Sequence, residues 1–158
     1  MDPSCRCFRF RLRSLHDTPS GATRSLDLAM RHSDSGDWLP QTPDLTTPRF
    51  RLFLLSLLLC QHFHLVRGAE AHGLPLEQVE GEMAVVTAAD WLVQEVHGSF
   101  ALRLRPGDGA AAFSAAAGSD PAALQRALDD LRERLAHCPV ARNLPPGAAT
   151  SLALNVVV

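Results

Sequence analysis

The expected fold depends first on the stretch TPRFRLFLLSLLLC, residues 47–60. Thr47 can cap a helix, and Pro48 suits the first helical position because its missing N–H costs no hydrogen bond there. Residues 52–60 are apolar or small without interruption, and the helix can run to His72, where a glycine and a proline follow. A helix that is apolar nearly all round is buried. The stretch therefore predicts a long helix in the protein core.

The same stretch bears on whether the chain crosses a membrane. A spanning helix needs about 20 apolar residues. The apolar run covers only residues 52–60, and it is preceded by Arg51 and followed by Gln61 and His62. Burial inside a protein core fits this length better, so we expect no association with a membrane.

Composition limits the classes of function. A chain of 158 residues can bury a sizeable core, and we expect a single domain over residues 1–158. The net charge is −2, with acidic and basic residues interspersed, so no basic surface for nucleic acid is indicated. Four cysteines without a secretory signal favour a reducing compartment, and we expect the protein in the cytoplasm.

Strands are predicted on both sides of the apolar helix. Residues 6–15 alternate between arginine and apolar side chains, and RSLDLAM can return as the second strand of a hairpin. Residues 33–47 are a long loop by composition. Downstream, side-chain patterns predict strands within 76–86 and 91–106, a connector over 107–119, and a closing strand in ATSLALNVVV.

A second helix is predicted before the closing strand. Asp120 can cap it, Pro121 can open it, and Pro139 should end it or begin a turn. Four leucines fall on one face at helical spacing: Leu124, Leu128, Leu131 and Leu135. The element order predicts an α+β fold in which two long helices pack against antiparallel sheet.

Two cysteines lie in patterns that resemble the OsmC/Ohr family, the osmotically induced and organic hydroperoxide resistance proteins. In that family a Thr/Asn-Pro pair opens a buried helix, a cysteine follows, and a G(L/I)-x-L-E-x-V passage leads into a strand. Here these elements are Pro48, Cys60 and residues 73–79. The second family pattern is a cysteine-proline at a helix end, matched by CPVARNL at residues 138–144.

The resemblance implies an OsmC-like fold with antiparallel sheets around two long central helices in an intertwined homodimer. Residues 47–158 carry the best match, and residues 1–46, the N-terminal hairpin and long loop, match poorly. The implied activity is a thiol-dependent peroxidase of the oxidative stress response that needs no cofactor. Cys60 would attack an organic hydroperoxide, Cys138 would resolve the product, and a small dithiol or dithiol protein would regenerate both thiols.

The resemblance also suggests how the attacking thiol would be activated. In active members a glutamate follows the helix-opening proline and holds an activating arginine, whereas this chain has Arg49 at that place. The candidates for a cation that lowers a thiol pKa are Arg24 in the N-terminal strands and Arg49, with Arg51 nearby. The missing glutamate favours an alternative, a catalytically decayed dimer that binds an apolar small ligand or serves as a structural module.

Simpler interpretations remain for these and other residues. Each of the two central cysteines can be a small buried hydrophobe. Cys60 and His64 share a helical face, with His62 close, which permits a metal site; without a further clustered ligand we expect no metal. His137 can assist Cys138 as a proton donor. Cys5 and Cys7 are expected to be bystanders.

Overall fold

The computed structural model describes residues 5–17, 20–105 and 121–157. The elements in chain order are β1 (Arg6–His16), β2 (Thr23–Arg31), β3 (Leu39–Gln41), α1 (Arg49–Ala71), β4 (Leu76–Thr87), β5 (Val93–Leu104), α2 (Pro121–Ala136), a 3₁₀ turn (Ala141–Asn143) and β6 (Ala149–Val157). This order confirms the predicted α+β class. The connector predicted over 107–119 and the cap predicted at Asp120 lie outside the described residues.

The strands form one six-stranded sheet in the order β3-β2-β1-β4-β5-β6. Neighbouring strands are antiparallel except for β5 and β6, which run parallel. The sheet is therefore mixed, and the prediction of an antiparallel sheet was wrong at this edge. The physical reason is that α2 lies between β5 and β6 in the chain, and a helical crossover returns the next strand in the same direction.

Both helices cover one face of the sheet, which we call the inner face. Alternation along the strands directs six large apolar side chains to it, all buried: Phe10, Leu12, Val79, Met83, Phe100 and Leu102. Gly81 lies among them, and a Cβ atom there would come within 2.7 Å of the Phe100 ring. The opposite, outer face carries exposed charged residues such as Arg11, Glu82 and Arg103.

The two helices pack antiparallel to each other. A Cβ atom added at Gly68 of α1 would collide with Leu131 of α2, so glycine permits the close approach. At the end of α1, His72 Nε2 lies 2.8 Å from an Asp130 carboxylate oxygen, which also accepts a 2.6 Å hydrogen bond from Arg134. The Arg134 and His72 hydrogen bonds lower the pKa of Asp130.

The start of α1 differs from the prediction. No side-chain hydrogen bond caps the helix, so the expected cap by Thr47 was wrong. Instead the Thr47 hydroxyl accepts a 3.0 Å hydrogen bond from the Asp44 N–H, and the Asp44 carboxylate accepts the N–H groups of Thr46 and Thr47. This local turn competes for the same hydroxyl. The loop predicted over 33–47 is also interrupted, because β3 adds to the edge of the sheet.

One side of α1 remains open. Its buried residues include Leu54, Leu58 and Leu65, whereas Phe63 is 59% exposed. The helix is long and apolar enough to cross a membrane, and half of its most apolar window is buried inside the protein. A buried core helix satisfies the same test, so the core position of α1 rests on its buried residues and not on this finding.

Candidate functional site

Cys138 lies directly after α2, where the chain turns toward the closing strand. Its side chain is fully buried. The backbone makes a tight turn here, because the Arg142 N–H donates to the Cys138 carbonyl at 3.1 Å and the Ala141 N–H approaches the Cys138 sulfur at 3.4 Å. As predicted, α2 ends before Pro139.

Cys60 lies on α1, half-buried, beside the end of α2. The side chains of Cys60 and Cys138 are close enough for Cys60 to raise the pKa of the Cys138 thiol, and both cysteines are free thiols. The antiparallel packing of the helices produces this contact, since it brings the middle of α1 to the end of α2. The two cysteines from the two sequence patterns therefore meet.

The electrostatics of Cys138 follow from its burial. Desolvation raises the pKa of the Cys138 thiol to about 11. The Ala141 N–H partly offsets this effect, whereas the neighbouring Cys60 side chain raises the pKa further. Cys138 is consequently protonated at neutral pH.

The arginines considered for activation engage other groups. Arg24 is exposed on β2 and lies 3.7 Å from Asp17. The Arg49 guanidinium donates to the carbonyls of Leu45 and Thr47, at 2.8 and 3.0 Å. Arg49 and Arg51 also lie roughly 13 to 17 Å from Cys60 along the helix axis, at about 1.5 Å per residue. Arg24 and Arg49 are therefore paired with groups other than the thiol, and Arg51 lies more than two helical turns from it.

A buried polar cluster on the inner face was not predicted. His16 Nδ1 lies 3.3 Å from the Gly21 carbonyl, to which it must donate, so His16 Nε2 accepts from the Ser14 hydroxyl at 2.9 Å. The Ser14 oxygen is then free to accept from His62 Nε2 at 2.8 Å. Burial lowers the pKa of His16, and burial together with the nearby His16 lowers the pKa of His62 to about 4.

The position of His62 in this cluster bears on the alternative of a metal site formed with Cys60 and His64. His62 points to β1 and bonds Ser14, away from the contact between Cys60 and Cys138. Across the described part of the chain, no group of three or more His, Cys, Asp or Glu residues is arranged to hold a metal ion. A sequence signal for the cluster existed: Ser14 and His16 continue the alternation that places Leu12 on the inner face.

Three other predicted residues lie apart from the two thiols or point away from them. His137 is exposed, and its Nδ1 donates to the Glu133 carbonyl at 2.8 Å. It does not bond Cys138. Cys5 and Cys7 are exposed at the start of the chain, where they line a recess of about 520 Å³ with His32.

Two further recesses lie over the sheet, with volumes of about 720 and 170 Å³, and both include Trp38. None of these three recesses includes Cys60 or Cys138. Cys60 is instead partly buried and packs against the hydrophobic core.

Comparison with known proteins bears on the fold. No family model and no curated protein matches the sequence. Among solved structures, an osmotic stress induced and detoxification response protein from Psychrobacter arcticus aligns with a TM-score of 0.51 and 14% identity, over 90% of this chain and 94% of that one. The chain has an OsmC-like fold. An OsmC-like hydroperoxide resistance protein from Jannaschia sp. aligns with a TM-score of 0.48 and 16% identity, over 87% of this chain and 85% of that chain.

The OsmC-like resemblance predicted from the two cysteine patterns is thus confirmed at the level of fold. At these identities the likeness concerns the fold alone, since one fold supports many functions. The function of this protein depends on its own side chains.

Proposed function

We propose that this OsmC-like protein is a thiol-dependent peroxidase that reduces organic hydroperoxides with Cys60 and Cys138. The observation that carries the proposal is the proximity of the two thiols, which the packing of α1 against α2 brings together. A disulfide requires two Cα atoms within about 7 Å of each other. Thiols that are already neighbours need little movement to meet that requirement.

The environments of the two thiols support a division of roles. Cys60 is half-buried and accessible to a peroxide, whereas Cys138 is buried. The Cys60 thiolate attacks one peroxide oxygen, the O–O bond breaks, and the alkoxide leaves as the alcohol after taking a proton. Cys60 is then a sulfenic acid.

Cys138 resolves this intermediate. Its sulfur attacks the Cys60 sulfur, water leaves, and a disulfide forms. A dithiol, either a small molecule or a protein, then reduces the disulfide and is itself oxidised. Because the pKa of Cys138 is raised to about 11, it attacks from the thiol form, and its proton leaves with the hydroxyl group of the sulfenic acid as water. A reducing compartment such as the cytoplasm would keep the pair reduced between turnovers.

The open side of α1 supports a homodimer and an alkyl substrate. Leu59 is partly buried and Phe63 is 59% exposed, on the helix that carries Cys60. A second copy covering this side would enclose an apolar pocket beside the thiol. Such a pocket favours an alkyl hydroperoxide over hydrogen peroxide.

A second candidate function follows from the arginines. Because Arg24 and Arg49 engage other groups, no candidate cation from the sequence patterns contacts Cys60. This observation favours the decayed alternative, a dimer that binds an apolar ligand without turnover.

The experiment that tests the proposal follows the consumption of cumene hydroperoxide with dithiothreitol. We expect turnover by the wild type, none by Cys60→Ser, and a sulfenic acid trapped by dimedone in Cys138→Ser. Cys7→Ser is the matched control, because Cys7 is exposed and distant from the pair, and it should retain full activity. An inactive wild type, or full activity in Cys60→Ser, would contradict the peroxidase and favour the decayed dimer.

A further inference from the structure

A second set of reactive groups lies on the outer face, away from the cysteines. His97 Nδ1 lies 2.7 Å from the Ser151 hydroxyl, and His97 Nε2 lies 3.1 Å from a Glu95 carboxylate oxygen. All three residues are exposed. A hydroxyl, an imidazole and a carboxylate are therefore joined in one chain of hydrogen bonds that solvent can reach.

The strand register creates this arrangement. His97 of β5 lies directly opposite Ser151 of β6 in the parallel pair, so both side chains point to the same face. Glu95 lies two residues before His97 in β5, so its side chain points to the same face. The three groups are held by two neighbouring strands of the sheet, which limits their relative movement.

The hydrogen bonds also select the reactive tautomer of His97. An ionised carboxylate can only accept, so the imidazole donates to Glu95 through Nε2. Nδ1 then carries no proton in the neutral ring and accepts the Ser151 hydroxyl hydrogen. This is the state required of a general base beside a nucleophile.

We propose that Ser151, His97 and Glu95 act as nucleophile, general base and orienting carboxylate in the hydrolysis of small esters. The Ser151 oxygen attacks the ester carbonyl while His97 takes its proton. The ester C–O bond breaks, and the alcohol leaves with the proton from His97. Water then attacks the acyl group on Ser151, with His97 again as base, and releases the carboxylic acid.

Two features near the triad suit an ester. Within the described sheet β6 pairs only with β5, so every second N–H of this edge strand points away from β5, in a direction that suits donation to a developing oxyanion. A recess of about 170 Å³ adjoins His97, and its lining includes Trp38 and the charged residues Arg9, Arg31 and Glu82. At about 30 Å³ per water molecule, it holds roughly six water-sized groups, which fits a short acyl chain.

The inner-face cluster of Ser14, His16 and His62 has similar groups but cannot serve the same reaction. All three side chains are buried, so a substrate has no access. The outer-face triad differs in being exposed and in having a carboxylate partner.

A fluorophosphonate probe tests the proposal directly, because it reacts covalently with an activated serine. We expect mass spectrometry to locate the adduct on Ser151 in the wild type and to find it lost in His97→Asn. Ser25→Ala is the matched control, since Ser25 is a hydroxyl residue of β2 remote from the triad, and labelling should be unchanged. An unlabelled Ser151, or equal labelling in His97→Asn, would overturn the proposal.

Hydrolysis of p-nitrophenyl acetate provides the second readout. A general base contributes about 100-fold or more to a rate, so His97→Asn should lower the serine-dependent rate by about that factor. The decanoyl ester should react at least tenfold more slowly than the acetyl ester if the recess binds the acyl group. A merely structural role for Ser151 predicts a lower melting temperature in Ser151→Ala with no labelled serine in the wild type, and that result would also overturn the proposal. Neither readout depends on Cys60 peroxidase activity.

Discussion

The two faces of the sheet hold similar polar residues in opposite circumstances. On the inner face Ser14, His16 and His62 are buried beneath α1. Their side chains hydrogen-bond to one another and to the backbone carbonyl of Gly21. On the outer face Ser151 and His97 are exposed. A buried polar cluster should therefore affect mainly stability, whereas an exposed one is open to a substrate.

The largest effect should come from the apolar part of the inner face. Phe100 is 1% exposed and packs against Gly81. We expect Phe100→Ala to lower the free energy of unfolding by about 3–5 kcal/mol, because it removes a buried ring and leaves a cavity. Urea unfolding measures this loss. Arg103→Ala on the outer face is the control, and it should change the free energy of unfolding by no more than about 0.5 kcal/mol. Equal losses in the two variants would refute the assignment of the faces.

The second largest effect on stability should come from acid, which weakens the inner-face cluster. The folded-state pKa of His62 is lowered from 6.5 to about 4, so its stabilising contribution is present above pH 6.5 and is lost as the pH falls toward 4. The loss amounts to about 3 kcal/mol at about 1.4 kcal/mol per pKa unit. Urea unfolding between pH 7.5 and 4.5 measures it, and His62→Gln should flatten this slope while His97→Gln retains it. A wild type of constant stability over this range would contradict the burial of His62.

The two serines allow a closer comparison of the faces. Ser14→Ala should cost about 1–3 kcal/mol, because it leaves two buried imidazoles without their shared partner. Ser151→Ala removes an exposed hydroxyl and should cost about 0.5 kcal/mol or less. Thermal unfolding of the two variants side by side tests the difference, and the reverse order would mean that the outer-face serine is the structural one.

The smallest effect is expected at the partly exposed contact between the end of α1 and the middle of α2. Asp130 accepts from His72 and Arg134 near the surface, and its side chain is 35% exposed. Exposed ion pairs contribute about 0–1 kcal/mol, so Asp130→Asn should change the free energy of unfolding by no more than that. The measurement is urea unfolding at low and high salt. A loss as large as that of Phe100→Ala would show that this contact, and not the apolar packing, holds the helices together.

The sequence predicted the elements well where side-chain periodicity was strong. The apolar run in α1 and the leucines Leu128, Leu131 and Leu135 of α2 specify burial in any compact fold, since apolar surface has to leave water. The strand β3 escaped prediction because Leu39–Gln41 carries no periodicity, and its pairing with β2 is a tertiary contact. The cap at Thr47 failed because Asp44 competes for the same hydroxyl.

In the candidate sites, too, the sequence predicted some features and left others to the tertiary structure. Cys60 and Cys138 could be chosen from the sequence because each lies in a recognisable pattern, but nothing in their spacing required them to touch. His97 and Ser151 lie in strands that the sequence predicted, yet their pairing depends on the parallel register of β5 and β6, which was not predicted.

What the sequence determined by itself was the set of elements other than β3 and the apolar residues that must be buried, because periodicity and hydrophobicity act within each segment. Only the tertiary structure decided which distant side chains meet. The contact of Cys60 with Cys138 depends on how α1 packs against α2, and the hydrogen bond between Ser14 and His62 depends on how α1 lies across β1. Such contacts depend on the packing of whole elements, which local sequence patterns do not encode.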